Sequence, residues 1–263
     1  MSLDLLGAYD DQLRGATEVH DASDVVRLGP LWLARFPGDR GFITYRELPD
    51  DGPSIARLVA EATAHFRDGT DVGAVEWKTR DHDVAPGLEA ALAENGYVAD
   101  DPESIMIGEA TALVADVPVP DDISIHPAIT SDDLWAANEM QGRVFDDPLW
   151  RTRAEEAVRR FEAGEQQGFW IAVDAEGAVV CAGRLEPVDG TDFAGIWGGA
   201  TLPEWRGRGI YRAMTARRAQ AALDLGKRFI NSDSTPYSRP ILERSGFVAV
   251  STTTPWNWTR DQA

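Results

Sequence analysis

The sequence predicts an α+β chain of two tandem halves, each a mixed β-sheet flanked by helices. Runs with the two-residue period of strands alternate with runs of helical period, and glycine and proline mark the boundaries. The chain also repeats itself: LAENGYVA (Leu92 to Ala99) and LERSGFVA (Leu242 to Ala249) share four of eight residues. In both, a short apolar helix stops at a glycine, Gly96 or Gly246, a residue suited to the left-handed position after a helix. A β-type run follows in each. The place of this match near the end of each half favours duplication. Between the halves ADVPVPDD, residues 115–122, reads as an extended linker, so the expected division is 1–114, 115–122 and 123–263.

At 263 residues with 43% hydrophobic content, the chain can build one large core or two medium ones. No run approaches the ~20 apolar residues of a membrane helix, so no membrane partner is expected. The acidic start MSLDLLGAYDDQL lacks the basic and apolar regions of a secretory signal. One cysteine, Cys181, excludes an internal disulfide and fits a reducing cytoplasm. Four scattered histidines and that cysteine leave no metal-ligand spacing, and no metal is expected. A formal charge of −19 argues against nucleic-acid binding, which needs Lys and Arg to neutralise phosphates; solubility accounts for it.

The second half reads in order. DISIHPAI suggests an opening strand, and Ser131 can cap the helix that follows. A second helix begins after Pro148, with Trp150, Ala154, Ala157, Val158 and Phe161 in helical register. FWIAV and AVVCAGRLEPV flank Asp174 to Gly177, a hairpin signal. FAGIWGGATL is a third strand whose adjacent Gly198 and Gly199 suggest a bulge. A helix then runs to about Gly226, with Ile210, Met214, Ala221 and Leu225 on one side. RFINSD is the next strand, SRPILERSG a short helix, and FVAVSTTTPWNW one or two closing strands.

The turn LPEWRGRGIYRAM, Leu202 to Met214, carries the chemistry. The first N–H groups of a helix have no intrahelical partner and lie at the positive end of its dipole. Gly207 and Gly209 remove the Cβ atoms that would hold a ligand off those groups, and phosphate oxygens are the natural occupant. From Trp205 to Arg228 seven Lys or Arg stand against one acid, a local balance of +6 in a protein of −19. A Walker loop needs Gly-Lys-Ser/Thr, which is absent. A dinucleotide fingerprint needs a third glycine where Arg212 sits.

ATLPEWRGRGIYRAM resembles the acyl-CoA loop of the GNAT superfamily of N-acyltransferases, whose pattern is [QR]-x-x-G-x-[GA]. Arg206 and Gly209 match it; Tyr211 replaces the final small residue. SRPILERSGF is similar to the short helix and Gly-Phe that follow the fifth strand in that family. The resemblance covers roughly Ile123 to Trp258 and implies two tandem GNAT-like domains, each with a mixed, mostly antiparallel sheet. It further implies acetyl-CoA as acyl donor, its pyrophosphate against the N–H groups of Gly207, Arg208, Gly209, Ile210, Tyr211 and Arg212. Arg206, Arg208 and Arg212 would add charge-assisted hydrogen bonds. The pantetheine arm would pair with the backbone near Thr201 and Leu202, in a slot opened where the bulge splays this strand from the one at Phe229 to Asn231. Asn231 is a further expected cofactor contact, and Ser238 either touches the pantetheine or only caps the short helix. A backbone N–H at the bulge would polarise the thioester carbonyl. Tyr211 narrows the approach unless its side chain turns outward.

The first half lacks this apparatus. Its counterpart helix, SIARLVAEATAHF, follows RELPDDGP, where Asp50 and Asp51 would repel phosphate. A retained fold without a cofactor site is expected there. The catalytic groups are less legible. The tyrosine that many GNAT enzymes use as acid falls at Leu242 in this chain. Tyr237, on the same segment, could substitute or simply pack. Glu186, ending a long strand, or Asn231 or Asp233, ending the strand after the cofactor helix, could hold the water that takes the amine proton, or be solvated. Asp146 and Asp147 could receive a cationic amine or only lead into a helix; Cys181 and His126 read as core or strand-end residues. Two classes follow: an acetyl-CoA-dependent N-acetyltransferase acting on a small-molecule or peptide amine by direct attack, and a non-catalytic acyl-CoA binding or sensing protein.

Overall fold

The computed structural model describes residues 4–114, 117–165 and 168–260. Ala115 and Asp116, which open the expected linker, lie outside the described residues. In chain order the elements are α1 (Leu5–Gln12), a 3-10 turn (Gly15–Val19), β1 (Asp24–Leu28), β2 (Leu31–Phe36) and β3 (Arg40–Tyr45). There follow α2 (Gly52–Gly69), β4 (Ala74–Arg80), α3 (Leu88–Glu94), β5 (Val98–Ala99), β6 (Glu103–Glu109) and α4 (Ala110–Leu113). The remainder is β7 (Ile123–Pro127), α5 (Ser131–Phe145), α6 (Trp150–Glu162), β8 (Phe169–Asp174), β9 (Val179–Pro187) and β10 (Phe193–Thr201), then a 3-10 turn (Pro203–Trp205). The chain closes with α7 (Ile210–Asp224), β11 (Phe229–Ser234), α8 (Arg239–Ser245) and β12 (Val248–Thr259).

Two compact units result, and they do not follow the division expected from the sequence. The first comprises Met1–Met106, Asp233–Pro240 and Ala249–Ala263; the second comprises Ile107–Ser232 and Ile241–Val248. The reason lies in the closing stretch. It forms one long strand, β12, which pairs antiparallel with β4 from Thr253↔Arg80 to Thr259↔Ala74. The end of the chain thus completes the sheet of the first unit.

In that unit β1, β2 and β3 form an antiparallel meander, β3 and β4 are parallel, and β5 adds to β12. The parallel step demands a crossover, which α2 supplies. Ile55, Val59, Ala62 and Phe66 of α2, at spacings of four, seven and eleven, are buried against Leu33, Ile43, Val75 and Trp77. Truncating a fully buried ring such as Phe66 to alanine costs about 3–5 kcal/mol in such a core.

The second unit repeats the plan. Its strands run β11-β10-β9-β8-β7, antiparallel except for the β10–β11 step, which α7 crosses. Ile210 and Met214 of α7 pack with Cys181, Ala200 and Leu202. Two expectations need correction. Thr130, not Ser131, caps α5, in a capping box whose other half is Asp133. Leu225 is exposed, because α7 ends at Asp224 and Gly226 then takes a left-handed φ of 76°.

Candidate active site

Strands β10 and β11 stay paired for three residues, Phe193↔Phe229, Ala194↔Ile230 and Gly195↔Asn231. Beyond Gly195 both continue without further pairing to each other, β10 to Thr201 and β11 through Ser232. The cause is on β10. Its register against β9 shifts between Trp197 and Ala200, which places the expected bulge at Gly198 and Gly199. Gly198 takes a left-handed φ of 61°, available at little cost only to glycine. Two side chains brace the parted backbone. Gln141 of α5 donates to the Gly198 carbonyl at 2.5 Å, and the Ser232 hydroxyl donates to the Ile196 carbonyl at 3.0 Å. Neither residue carries a sequence signal, since each acts through a contact with distant backbone.

At the branch point the register sets Glu186, Gly195 and Asn231 in one row across β9, β10 and β11. Asn231 is 6% exposed, yet its Oδ1 has no hydrogen-bond partner among the described residues. A buried acceptor left unmet costs about 1–3 kcal/mol, so this atom marks a place for a donor. Glu186 is exposed and paired with Arg184 at 2.9 Å.

The α7 N-terminus faces the same way as the sequence suggests. Gly209 is its cap, left-handed at φ 82°, and no side chain bonds to the first N–H groups. Gly207 is left-handed too, at φ 75°, and the space a Cβ would take at either glycine is empty to 4 Å. This open, positively polarised cradle fits a phosphate. Arg206, Arg208 and Arg212 are all exposed around it. Arg208 makes a two-pronged bond to Asp122, at 2.7 and 2.9 Å, which holds the Asp122 carboxyl below its ordinary range.

The backbone expected to meet an extended arm is partly engaged. Leu202 N–H donates to Val180, and the Thr201 carbonyl accepts from Arg206 Nε at 3.1 Å. Tyr211 does not turn outward. Its ring lies on Gly199, where a Cβ would stand 2.6 Å from the phenolic oxygen. Beside it Arg218 is fully buried, its guanidinium 5.7 Å from the ring centroid. Arg218 bonds the Arg184 carbonyl and Thr215 Oγ1 but has no carboxylate partner among the described residues. In the sequence it was one basic residue among seven; only burial singles it out.

Cys181 is fully buried, accepts from Thr201 Oγ1 at 3.1 Å, and burial pushes its thiol up to about 11, so it belongs to the core as expected. Tyr237 and Ser238 lie in segment 233–240 of the first unit. Tyr237 is 70% exposed, and Ser238 shares hydroxyl hydrogen bonds with Ser234 and Thr235. No group of three or more metal-ligating side chains occurs among the described residues, and none of their helices is long and apolar enough to cross a membrane.

Residues 133–247 match the family described as "Acetyltransferase (GNAT) family". No curated protein matches the sequence. Among solved structures, a GCN5-related N-acetyltransferase from Kribbella flavida aligns with a TM-score of 0.70 at 16% identity, over 92% of this chain and 93% of that one. One from Sphaerobacter thermophilus gives 0.67 at 14% identity, over 88% and 77%. A tandem GNAT protein from the clavulanic acid biosynthesis pathway gives 0.62 at 18% identity, over 90% and 82%. The chain shares their α+β fold, and residues 133–247, a little under half of it, are similar to the acetyltransferase (GNAT) family.

Proposed function

We propose that the second unit is an N-acetyltransferase that moves the acetyl group of acetyl-CoA to an amine of a small molecule or peptide by direct attack. The observation that carries the reading is the parting of β10 and β11 beside an uncapped, glycine-opened helix start. The N–H groups from Gly207 to Arg212 would hold the pyrophosphate, with Arg206, Arg208 and Arg212 around it. Arg206 would exchange the Thr201 carbonyl for a phosphate oxygen, which frees that carbonyl for the arm along Thr201 and Leu202. The orphaned Oδ1 of Asn231 would accept an amide N–H of the arm. Glu186, in the same row, would take the amine proton through a water. The family resemblance adds Ser238 to the cofactor contacts and Tyr237 to the acid candidates.

A second reading, a non-catalytic acyl-CoA binding protein, draws on Leu242. It is 1% exposed and apolar at the place of the usual acid. Calorimetric titration with acetyl-CoA, followed by thiol release across a panel of amines, separates the two. Binding lost in an Arg206→Ala, Gly209→Trp variant that still folds, together with amine-stimulated release, supports the enzyme. Binding with no release by any amine supports the sensor, and no binding by a folded parent overturns both.

A further inference from the structure

We infer that Tyr211 is the acid that protonates the departing thiolate, the task left open by Leu242. The inference rests on the acetyl-CoA reading above and names a residue for its last step. Three observations converge on it. Leu242 has no proton to give, and Tyr237 is 70% exposed, whereas a proton donor to a thiolate works best at a site shielded from water. The Tyr211 hydroxyl lies on Gly199, in the bulge whose N–H groups the thioester carbonyl would meet. Its ring lies 5.7 Å from the guanidinium of Arg218, a buried cation with no carboxylate partner among those residues.

Direction decides whether the ring blocks or serves the slot. The Cβ position of a strand residue stands perpendicular to the sheet, whereas the gap between β10 and β11 opens in its plane. Tyr211 occupies the Cβ side of Gly199, so it covers one face of the bulge and leaves the gap open. Glycine at 199 is then required, since any side chain there meets the ring.

In the step itself, the amine nitrogen forms its bond to the acyl carbon and the carbon–sulfur bond breaks. The amine gives up a proton to water held at Glu186, and the thiolate takes one from the Tyr211 hydroxyl. Arg218 steadies the phenolate until solvent returns the proton, so protons balance over the cycle. Amide and free CoA thiol are the products.

The test is Tyr211→Phe, which removes one phenolic oxygen and should leave the fold intact. The affinity for acetyl-CoA should stay within about twofold, while kcat for Tyr211→Phe falls about 100-fold, the lower range of general acid catalysis. Without turnover, the ultraviolet absorbance of bound CoA should show the thiolate at lower pH in the parent than in Tyr211→Phe. Equal kcat in parent and Tyr211→Phe overturns the inference alone. A parent that binds acetyl-CoA only after Tyr211→Gly shows a ring that closes the slot and also overturns it. A folded parent and Tyr211→Gly variant that both fail to bind overturn the acetyl-CoA reading, and the inference with it.

Discussion

The chain contains the same crossover twice, and the two differ in what satisfies their exposed backbone. In β3–α2–β4, Asp51 caps the helix and accepts from Ser54 N–H at 2.8 Å, which holds its carboxyl below the ordinary range. The strands pair from Arg40↔Ala74 to Ile43↔Trp77. Past that point the side chains complete the structure: Glu18 accepts from Thr44 and Arg80, and Arg14 donates to the Tyr45 carbonyl while gripping Asp83. In β10–α7–β11 the cap is a bare glycine, and the acceptor at the branch point, Asn231 Oδ1, is unmet. The first helix start is capped by the crossover's own carboxylate, although Tyr45 Oη and Trp77 Nε1 on its strands lack a partner among the described residues. The second start is capped by a bare glycine, which is where the proposed reading would seat acetyl-CoA. A fold shared by two halves therefore says little about a site; the few side chains at the helix start and the strand fork decide it.

The largest effect that can break this comparison is on stability. Glu18→Ala strands the buried Arg80 guanidinium without its carboxylate, and removal of one partner from such a pair costs about 3–5 kcal/mol. Chemical denaturation should show the loss in the first unit, read from its buried Trp77. Retention of full stability would mean that the closed crossover is not held by this network. Next comes Gly209→Asp, which gives the second crossover the carboxylate cap of the first. Repulsion of phosphate and strain at a left-handed φ should weaken acetyl-CoA by about 100-fold, roughly 2.7 kcal/mol, in a calorimetric titration.

A smaller effect concerns pH. Burial keeps the Glu76 carboxyl above its ordinary range, with Lys78 and Arg40 opposing. The unfolded chain ionises first as pH rises, so the fold loses stability through and just above the ordinary carboxylate range. Glu76→Gln removes this cost and should raise Tm at pH 7 by about 3 °C, the shift that ~1 kcal/mol gives a domain of this size, with no gain at pH 3. The smallest expected signal is protection. Cys181, at about 11 and fully buried, should resist a thiol reagent at pH 8 until denaturant opens the second unit.

Much of this was legible in the sequence because local rules govern it. The arginine–glycine turn, the bulge at Gly198 and Gly199 and the apolar stripe of α2 each follow from residues close in the chain. Asp51 was legible as a carboxylate at a helix start. What could not be read depends on distant pairing. The register of β12 on β4 is set by edges 175 residues apart, such as Thr79 and Thr254. That Tyr211 turns onto Gly199, and that Arg218 is buried with no carboxylate partner among the described residues, are tertiary facts for which neither residue carries a pattern.

Stoichiometry tests the central claim most directly. Isothermal titration of the folded chain with acetyl-CoA should give one micromolar site, unchanged by Asp51→Asn and weakened about 100-fold by Gly209→Asp. Two sites per chain, or a single site whose affinity Gly209→Asp leaves unchanged, would contradict an account in which only the second crossover holds the cofactor.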